Sequence, residues 1–542
     1  MSASLPSPHF SGLAIDLSHT MPEIVAHAAK TYGDKPFCVG EDGSSTSYAA
    51  FERRVTGFGA RLLRSGVQPG DRVAIWAPNS PEWIIAACAI QGLGGMMIPV
   101  NTRFKGQEAR HILEKSRASA LCTVTSFLGA DYASLLRDAT GGAGLGHPFR
   151  DLPQLKTTIN LDDADVAPAE VSAEDELAYR QAAAAVTPQT TADILFTSGT
   201  TGAPKGAMHS HGQALWMVGV WNEANDLRAT DRMLVVNPFF HSFGYRSGWV
   251  AALAAGMTVF PMAVFDAGAV LRLIERERIT VMGGAPTVFF SMMQHPDFGK
   301  IDISSLRCGQ TGGAKTPPDI IRAGYEKLGF DVFQTSYGLT EATAMVAANR
   351  AGDSLEVMTT TVGRPVPGVE VRIVDEHGLD LPQGERGELL CRGPNVMQGY
   401  FEDPEQTARA IDAQGWLHTG DVACIDGEGR LRILDRLKDV VIVGGFNAYP
   451  AEIEIALSAH PAIAEAAVIG LPDARMGEVC AACVILKPGG SLSLEELAAW
   501  SRDRMANYKV PRRLFVLEAF PRTPLGKVQK FALRDMAQAQ PA

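Results

Sequence analysis

The sequence predicts an α/β protein with a large N-terminal domain of βα-type sheets that carries a β-rich subdomain, followed by a small C-terminal α+β domain. Three observations predict this. Strand and helix patterns alternate along the first 300 or so residues, at a spacing that favours parallel sheets. Short alternating strands with tight turns replace them between about 362 and 434. The remaining stretch is mixed and has the size of an ordinary domain.

In the N-terminal part, Ser80 and Pro81 form the start signal of a helix, since serine caps and proline opens helices. Residues 161–190 are expected to be a surface connection. Helices are predicted at 21–32, 48–66, 81–94, 267–277 and 287–294, and strands at 71–76, 95–100, 192–196, 233–237, 257–263 and 281–284. Downstream, the predicted elements are strands 369–374, 387–391, 431–434, 440–443, 466–471 and 480–486, and helices 451–459 and 493–505.

Composition and charge narrow the class of protein. The chain has 542 residues, of which 46% are hydrophobic and 20% charged, as in globular proteins with large cores. The net charge of −11 argues against a nucleic-acid binder. The apolar stretch 249–265 contains Gly256 and Pro261 and is expected to be a buried helix–strand pair rather than a membrane span.

The compartment is expected to be the reducing cytoplasm. The start of the chain has no basic segment followed by an apolar core, so no secretory signal is predicted. The eight cysteines are scattered. Cys480 and Cys483 have redox-motif spacing, but they lie in an apolar run that predicts a core strand. Nothing in the sequence fixes the oligomeric state, and a homodimer is compatible with it.

One loop predicts a polyphosphate site. It spans 197–206 (TSGTTGAPKG) and follows a predicted strand, and residues 207–211 lead from it into a helical pattern. Glycine N–H groups, hydroxyls and a lysine are the groups that grip phosphates. It is not a Walker loop, because Lys205 is followed by Gly206 instead of a hydroxyl residue. A surface turn is the competing interpretation. The candidate residues are Thr197, Ser198, Gly199, Thr200, Thr201, Gly202 and Lys205.

Four further motifs follow this loop in order. They are 334–342 (QTSYGLTEA), 415–421 (GWLHTGD), 435–439 (DRLKD) and 521–527 (PRTPLGK). Together with the loop they resemble the motifs of the adenylate-forming enzymes, which include acyl- and aryl-CoA synthetases, firefly luciferase and peptide-synthetase adenylation domains. The resemblance covers residues from about 20 to 537. It implies AMP-forming activation of a carboxylic acid, with ATP and CoA as co-substrates and Mg²⁺ as the metal.

The resemblance also implies roles for single residues. Tyr337 would stack on adenine, Thr340 would bind the α-phosphate, and Glu341, together with Thr197, would hold Mg²⁺. Magnesium suits a single carboxylate beside a nucleotide. Asp421 would bind the ribose and Arg436 the nucleotide. Lys527, a catalytic residue with Thr340 and Glu341, would bridge the carboxylate and the α-phosphate. The other nucleotide-binding candidates are Gly313, Ala314, Lys315, Thr335, Ser336, Gly338 and Leu339.

The acid pocket is predicted from a second set of residues. Where amino-acid-activating relatives place an aspartate, this chain has His241, which cannot pair with an ammonium as an anion would. An apolar acid is therefore expected, and the resemblance favours a medium-chain, branched, alicyclic or steroid-derived one. The pocket candidates are His241, Phe243, Gly244, Tyr245, Val288, Gln310 and Gly312.

By the same resemblance, the domains are 1–437 and a mobile 438–542, with the hinge at Lys438. Gly444, Gly445 and Phe446 would line the path of the pantetheine thiol. The main hypothesis is an acid–CoA ligase that makes acyl-AMP and then acyl-CoA. The alternative is a stand-alone adenylation enzyme that loads a carrier-protein thiol. A non-catalytic nucleotide sensor is disfavoured, because Glu341 and Lys527 are both present.

Overall fold

The computed structural model describes residues 15–141, 149–163, 166–168, 170–197, 204–312, 316–350, 352–443, 446–473, 475–502, 504–523 and 526–539. The chain forms two compact units. The larger comprises Met1–Thr359, Gly363–Glu370 and Cys391–Leu417, and the smaller comprises Thr360–Val362, Val371–Leu390 and His418–Ala542. The smaller unit thus includes most of the β-rich strands as well as the C-terminal segment, and the expected hinge at Lys438 stays a prediction.

A nine-stranded sheet forms one half of the larger unit's described core. Six neighbouring strands run parallel, and short antiparallel strands complete both edges. Buried apolar side chains such as Met282 and Phe333 pack against the covering helices. In spatial order the strands are Arg364–Pro365, Ala347–Ala348, Val332–Tyr337, Cys308–Thr311, Val281–Gly284, Arg232–Val235, Thr258–Pro261, Pro36–Val39 and Ser45–Ser47.

The second sheet of the larger unit has seven strands within the described ranges. Five are parallel, and Lys205–Ser210 pairs antiparallel with Thr191–Thr197 on one side and Gly399–Tyr400 on the other. In order the strands are Gly399–Tyr400, Lys205–Ser210, Thr191–Thr197, Met96–Pro99, Arg72–Trp76, Ala120–Thr123 and Thr157–Asn160. A small hairpin pairs Ser126–Phe127 with Ala130–Asp131.

The helices of the larger unit follow local sequence signals. Ser80 caps its helix as predicted, since its hydroxyl accepts from the Trp83 N–H at 3.1 Å. The helices are Met21–Tyr32, Tyr48–Arg64, Pro81–Gly92, Gly106–Lys115, Tyr132–Thr140, Ala173–Ala185, His211–Ala224, Ser242–Gly244, Ala251–Ala255, Ala267–Glu277, Pro286–Gln294, Pro318–Glu326, Leu355–Thr360 and Pro404–Ala410, with a π-helical turn at Tyr245–Val250 and a 3₁₀ turn at Thr340–Ala342.

The described part of the smaller unit contains two sheets. The first has, in order, strands Glu370–Val374, Gly387–Arg392, Leu417–Ile425 and Leu431–Arg436, of which the last two pair antiparallel. The second has strands Phe446–Ala448, Val441–Val443, Gly477–Leu486, Ile463–Asp473 and Arg513–Val516. Its two faces are covered by separate apolar clusters. The helices are Pro450–Ser458, Leu494–Arg502 and Lys530–Ala539, with 3₁₀ turns at Leu437–Asp439 and Asn507–Lys509.

Two local elements were not predicted. The expected surface connection 161–190 contains the helix Ala173–Ala185, capped by Ser172 and anchored by buried Tyr179. The segment after the phosphate loop is the strand Lys205–Ser210 before it becomes a helix. The loop therefore joins two antiparallel strands, which we call the 191–210 hairpin. Stretch 249–265 holds the expected buried helix and strand. Of the helices described here, none is long and apolar enough to cross a bilayer.

Candidate active site

Three neighbouring parallel strands of the nine-stranded sheet end together at one edge. Their register pairs Gly283 with Gln310, and Gln310 with Gln334. A Cβ added to Gly283 would lie 3.2 Å from the Phe243 ring and 3.3 Å from the Gln310 Oε1. At Gly312 an added Cβ would meet no atom nearer than 4.0 Å. Carboxyl ends of parallel strands are the usual place for ligands, and among the described residues Gly312 leaves space at that edge.

The other acyl-pocket candidates differ in their surroundings. His241 is half-buried, its Nδ1 accepts from the Phe243 N–H at 3.2 Å, and burial lowers its pKa to about 4. The imidazole is therefore neutral at pH 7. Gly244 packs against backbone, because an added Cβ would lie 2.4 Å from two carbonyl oxygens. Val288 packs on Gly284. Tyr245 is fully buried beside Trp249, which favours a core role.

The segment after strand Val332–Tyr337 turns sharply. Thr343 and Ala344 have φ of 52° and 67°, a left-handed conformation that is strained for residues other than glycine. Gly338 permits the turn, since an added Cβ would lie 2.1 Å from the Ala344 carbonyl oxygen. Asn395 secures it: the Thr343 hydroxyl donates to the Asn395 carbonyl, and the Asn395 amide donates to the Met345 carbonyl at 3.0 Å. We call residues 339–345 the 339–345 corner.

Glu341 lies at this corner and is half-buried. The Tyr400 hydroxyl donates to Glu341 Oε1 at 2.9 Å, and the Met397 N–H donates to the Glu341 carbonyl at 2.9 Å. Burial raises the pKa of Tyr400 and Glu341 raises it further, so the phenol keeps the proton that it donates. Among the described residues, the second carboxylate oxygen of Glu341 accepts no hydrogen bond.

The donor set fits magnesium. Within the described ranges, no group of three or more His, Cys, Asp or Glu side chains could hold a metal ion. Glu341 offers a single carboxylate with one oxygen uncommitted to described residues, and Mg²⁺ is usually bound by one or two carboxylates plus substrate phosphates. The sequence prediction of a magnesium ligand at Glu341 is therefore compatible with the geometry.

The 191–210 hairpin brings the two ends of the phosphate loop together. Thr197 faces Lys205 across the strands, and its hydroxyl donates to the Lys205 carbonyl at 3.4 Å. The Lys205 ammonium donates to Gln406 Oε1 at 2.6 Å and lies 5.2 Å from the Tyr400 ring centre. The predicted residues Ser198, Gly199, Thr200, Thr201, Gly202, Gly313, Ala314, Lys315, Gly444 and Gly445 lie outside the described residues.

In strand Val332–Tyr337, Thr335 is the last residue of the parallel pairing, and Ser336 and Tyr337 pair antiparallel with the strand Ala347–Ala348. The Thr335 hydroxyl accepts a hydrogen bond from the Asn349 amide. Leu339 opens the 3₁₀ turn that carries Thr340. The structure thus gathers these predicted nucleotide residues, Glu341 and the pocket residue Gln310 at one end of the sheet.

A buried charge cluster, which the sequence analysis missed, adjoins this site. Asp193, His209 and Arg246 have no exposed surface. The Arg246 guanidinium lies 2.8 Å from both Asp193 oxygens, and His209 Nδ1 lies 2.9 Å from Asp193 Oδ1. Burial alone would raise the pKa of Asp193, but Arg246 and His209 lower it to about 2. Asp193 is therefore ionised.

The cluster reaches the 339–345 corner through His209. Its Nε2 lies 2.8 Å from the Thr340 carbonyl oxygen. Burial lowers the pKa of His209 and Arg246 lowers it further, whereas Asp193 and the Thr340 carbonyl raise it. Asp193 and His209 are directly opposite in the hairpin register. This pairing could not be read from the sequence, because strand Lys205–Ser210 was not predicted.

The smaller unit holds the remaining predicted residues. Asp421 and Arg436 are cross-strand partners, with Arg436 Nε 2.7 Å from Asp421 Oδ1. Asp421 is buried and Arg436 half-buried. Lys438 lies in the turn Leu437–Asp439 directly after this strand. Phe446 is exposed and its ring stacks on Tyr508 at 5.1 Å.

Lys527 is held by a tight local turn. The Lys527 N–H donates to the Thr523 hydroxyl at 3.2 Å, and the Lys527 carbonyl accepts from the Thr523 N–H at 2.8 Å. Its side chain is exposed, yet desolvation by the surrounding protein lowers its pKa. Arg436 and Lys438 lower that pKa further, while Asp421 and Asp439 raise it. The fold of the smaller unit thus brings Lys527 into the electrostatic range of Asp421 and Arg436.

Comparisons with family models and with known proteins all indicate the same family. The model described as "AMP-binding enzyme" matches residues 25–401, and that of the "AMP-binding enzyme C-terminal domain" matches 452–527. A 3-[(3aS,4S,7aS)-7a-methyl-1,5-dioxo-octahydro-1H-inden-4-yl]propanoyl:CoA ligase of Rhodococcus jostii is 43% identical, over 95% of this chain and 98% of the relative. The Mycobacterium tuberculosis protein of the same name is 42% identical, over 95% and 99%.

A solved structure agrees with the fold. The structure of the anthranilate CoA ligase AuaEII in complex with anthranoyl-AMP superposes with a TM-score of 0.84 at 27% identity, covering 97% of this chain and 99% of that one.

Proposed function

The chain belongs to the AMP-binding enzymes, within the adenylate-forming superfamily, and we propose that it is an AMP-forming acid–CoA ligase for a bulky alicyclic acid with a short carboxylate side chain. The observation that carries the proposal is the 43% identity, over nearly the whole chain, to a ligase named for a bicyclic propanoate. Medium-chain acids are the second candidate class, because a zebrafish ligase named for medium-chain acyl groups is 35% identical.

The reaction has two steps. In the first, a carboxylate oxygen of the acid attacks the α-phosphorus of ATP, the bond to the bridging oxygen of pyrophosphate breaks, and acyl-AMP forms. In the second, the sulfur of CoA attacks the acyl carbonyl, the mixed-anhydride bond breaks, and AMP leaves as the thiol proton passes to solvent. The first step gathers several anions, so positioned cations lower its barrier.

The proposed roles divide between the two units. In the larger unit, Tyr337 stacks on adenine and Thr340 binds the α-phosphate. In the smaller unit, Asp421 accepts from the ribose hydroxyls, in the orientation fixed by Arg436 at 2.7 Å, and Lys527 neutralises the charge that builds between carboxylate and phosphate. Lys205 assists the leaving pyrophosphate.

Glu341, with Thr197, would hold the magnesium ion, which would offset the negative charge of the ATP phosphates. The Tyr400 hydroxyl donates to one oxygen of the Glu341 carboxylate and so fixes the orientation of that carboxylate. Lys438 is the proposed hinge of the smaller domain, and Phe446 with Gly444 and Gly445 borders the proposed thiol path.

The acid pocket is proposed at the open strand ends. Gly312 leaves space there, and the Phe243 ring, which packs on Gly283, supplies an apolar wall. Neutral His241 provides no anion for an ammonium group, which disfavours amino acids. Because the close relatives are named as CoA ligases, CoA is the acceptor and carrier-protein loading is disfavoured. All eight cysteines are free thiols, which suits the cytoplasm that we propose as the compartment.

The test is a panel of acids at one concentration, with ATP, Mg²⁺ and CoA, read as AMP release and as acyl-CoA by mass spectrometry. The panel contains a bicyclic alicyclic propanoate, octanoate, a hydroxycinnamate and malonate. We expect the bicyclic acid to give the highest kcat/KM. In a Gly312→Val variant, the added side chain should lower kcat/KM for the bicyclic acid more than for octanoate.

Other outcomes would revise the proposal. A preference of the wild-type protein for octanoate would show that its substrates are medium-chain acids instead of alicyclic ones. AMP release without acyl-CoA, together with loading of a holo carrier protein, would establish the alternative acceptor. Absence of acid-dependent AMP release with every acid would reject the ligase assignment.

A further inference from the structure

We propose that His209 is a positioning residue for adenylation. Its Nε2–H donates to the Thr340 carbonyl and so connects strand Lys205–Ser210, which follows the phosphate loop, to the 339–345 corner. This inference rests on the proposed function, in which Thr340 and Glu341 serve the phosphates and the metal. None of the five recognised motifs contains Asp193, His209 or Arg246.

The geometry first separates His209 from an ordinary core side chain. Its ring is wholly buried, and each nitrogen lies at hydrogen-bond distance from an oxygen, Nδ1 2.9 Å from Asp193 Oδ1 and Nε2 2.8 Å from the Thr340 carbonyl oxygen. The Thr340 carbonyl already accepts from the Thr343 N–H at 3.1 Å. The Thr340 carbonyl is therefore not in need of a partner, and the effect of the contact with His209 is to fix the orientation of that carbonyl.

The second argument is the strain of the corner. Thr343 and Ala344 both have left-handed φ values, a strained conformation that persists only where surrounding contacts fix it. Asn395 holds the C-terminal side of the corner. On the N-terminal side, His209 fixes the peptide that links Thr340 to Glu341.

The third argument is the cost of the cluster itself. A fully buried set of charges is weak support for stability, since well-packed apolar side chains of similar volume often do as well. Arg246 also leaves Nε and one terminal nitrogen without a partner among the described groups. Such a cluster is best explained by the group that it orients. That group is the carbonyl of Thr340, the residue proposed to bind the α-phosphate.

The experiment compares His209→Gln with His209→Asn. The glutamine amide nitrogen lies as many bonds from Cα as Nε2 does and keeps a donor toward Thr340. The asparagine amide nitrogen matches Nδ1 and keeps only the donor toward Asp193. Each variant is assayed for ATP–pyrophosphate exchange with the best acid of the panel and for thioester formation from supplied acyl-AMP and CoA. Thermal unfolding, followed by tryptophan fluorescence, monitors the folded state.

We expect His209→Asn to lose about tenfold to a hundredfold in exchange rate, as loss of an orienting partner does at metal sites, with a raised Mg²⁺ midpoint and an unchanged KM for the acid. His209→Gln should recover most of that loss, and both should form thioester from supplied adenylate near the wild-type rate. Equal activity of the two variants, or better activity of His209→Asn, would overturn the inference. If the wild-type protein shows no acid-dependent exchange, the proposed function fails instead.

Discussion

The 339–345 corner and the Lys527 turn are both predicted to serve the first chemical step, yet they are built in opposite ways. The corner is held by side chains far away in sequence, from His209 to Tyr400. The Lys527 turn is closed by bonds to Thr523, four residues away, and its side chain is exposed.

This difference has consequences for function. A group held by long-range buried contacts cannot be altered without a cost in stability, because its partners are left unpaired. A group on a locally closed turn can be altered, or can move, while its fold persists. The corner is suited to a fixed grip on phosphate and metal, and the turn is suited to a lysine that is needed in one step only.

The largest expected effect on stability comes from the buried cluster. Asp193→Asn removes the anion between Arg246 and His209 and leaves buried charge uncompensated, which costs about 3–5 kcal/mol of unfolding free energy. Denaturant unfolding followed by tryptophan fluorescence measures this in the larger unit, which holds every tryptophan except Trp500. Asp138→Asn is the control, because the Asp138 side chain is 76% exposed. Equal stability of the two variants would contradict the contrast between the regions.

Lys527→Ala should have the opposite effect, with a large loss of activity and little loss of stability. The loss of one positioned charge donor should lower acid-dependent AMP release by about 10²–10³, while the unfolding free energy stays within about 0.5 kcal/mol of wild type, as for an exposed side chain. Lys487→Ala, at another exposed lysine, is the matched control and should keep full activity. A comparable activity loss in the control, or a large drop in stability, would remove Lys527 from its proposed role.

Tyr400→Phe tests the corner with a smaller change. It deletes the hydroxyl that donates to Glu341 and keeps the ring beside Lys205. Losing a hydrogen bond to a charged group corresponds to about a tenfold fall in adenylation rate, with a higher Mg²⁺ requirement. Rates measured across a Mg²⁺ series check this. If saturating Mg²⁺ left the variant's deficit and midpoint identical to those of wild type, Tyr400 would not orient the metal ligand.

The last expected effect is acid sensitivity. Burial lowers the pKa of His211 to about 4, although Asp193 and Glu23 partly oppose it. Between about pH 6.5 and pH 4 the unfolded chain binds a proton that the folded chain does not, so stability falls as pH falls, by at most about 1.4 kcal/mol per pH unit for one group. His241 titrates in the same window. His211→Asn should flatten the measured slope, and an unchanged slope would assign it elsewhere.

The sequence was a good guide where one segment determines its own structure. The helix capped by Ser80 and the core strand around Cys480 appear as predicted. The helix Ala173–Ala185 was missed because only Tyr179 is buried on it, so its apolar periodicity is weak. Strand Lys205–Ser210 was missed because its sequence has no β-branched residue, and pairing on both sides stabilises it.

The site was predictable only in part. Glu341 and Lys527 belong to motifs that a single segment displays. His209, Arg246 and Tyr400 act through partners that are distant in sequence, at separations of 131, 53 and 59 residues. A lone histidine or tyrosine gives no indication of such a partner until the fold brings the two together.

The most direct test of the contrast measures the two half-reactions of Lys527→Ala side by side. ATP–pyrophosphate exchange with the preferred acid reports adenylation, and acyl-CoA formation from supplied acyl-AMP and CoA reports the transfer. The account predicts that exchange falls by about 10²–10³ while transfer stays near the wild-type rate. An equal loss in both half-reactions would contradict it.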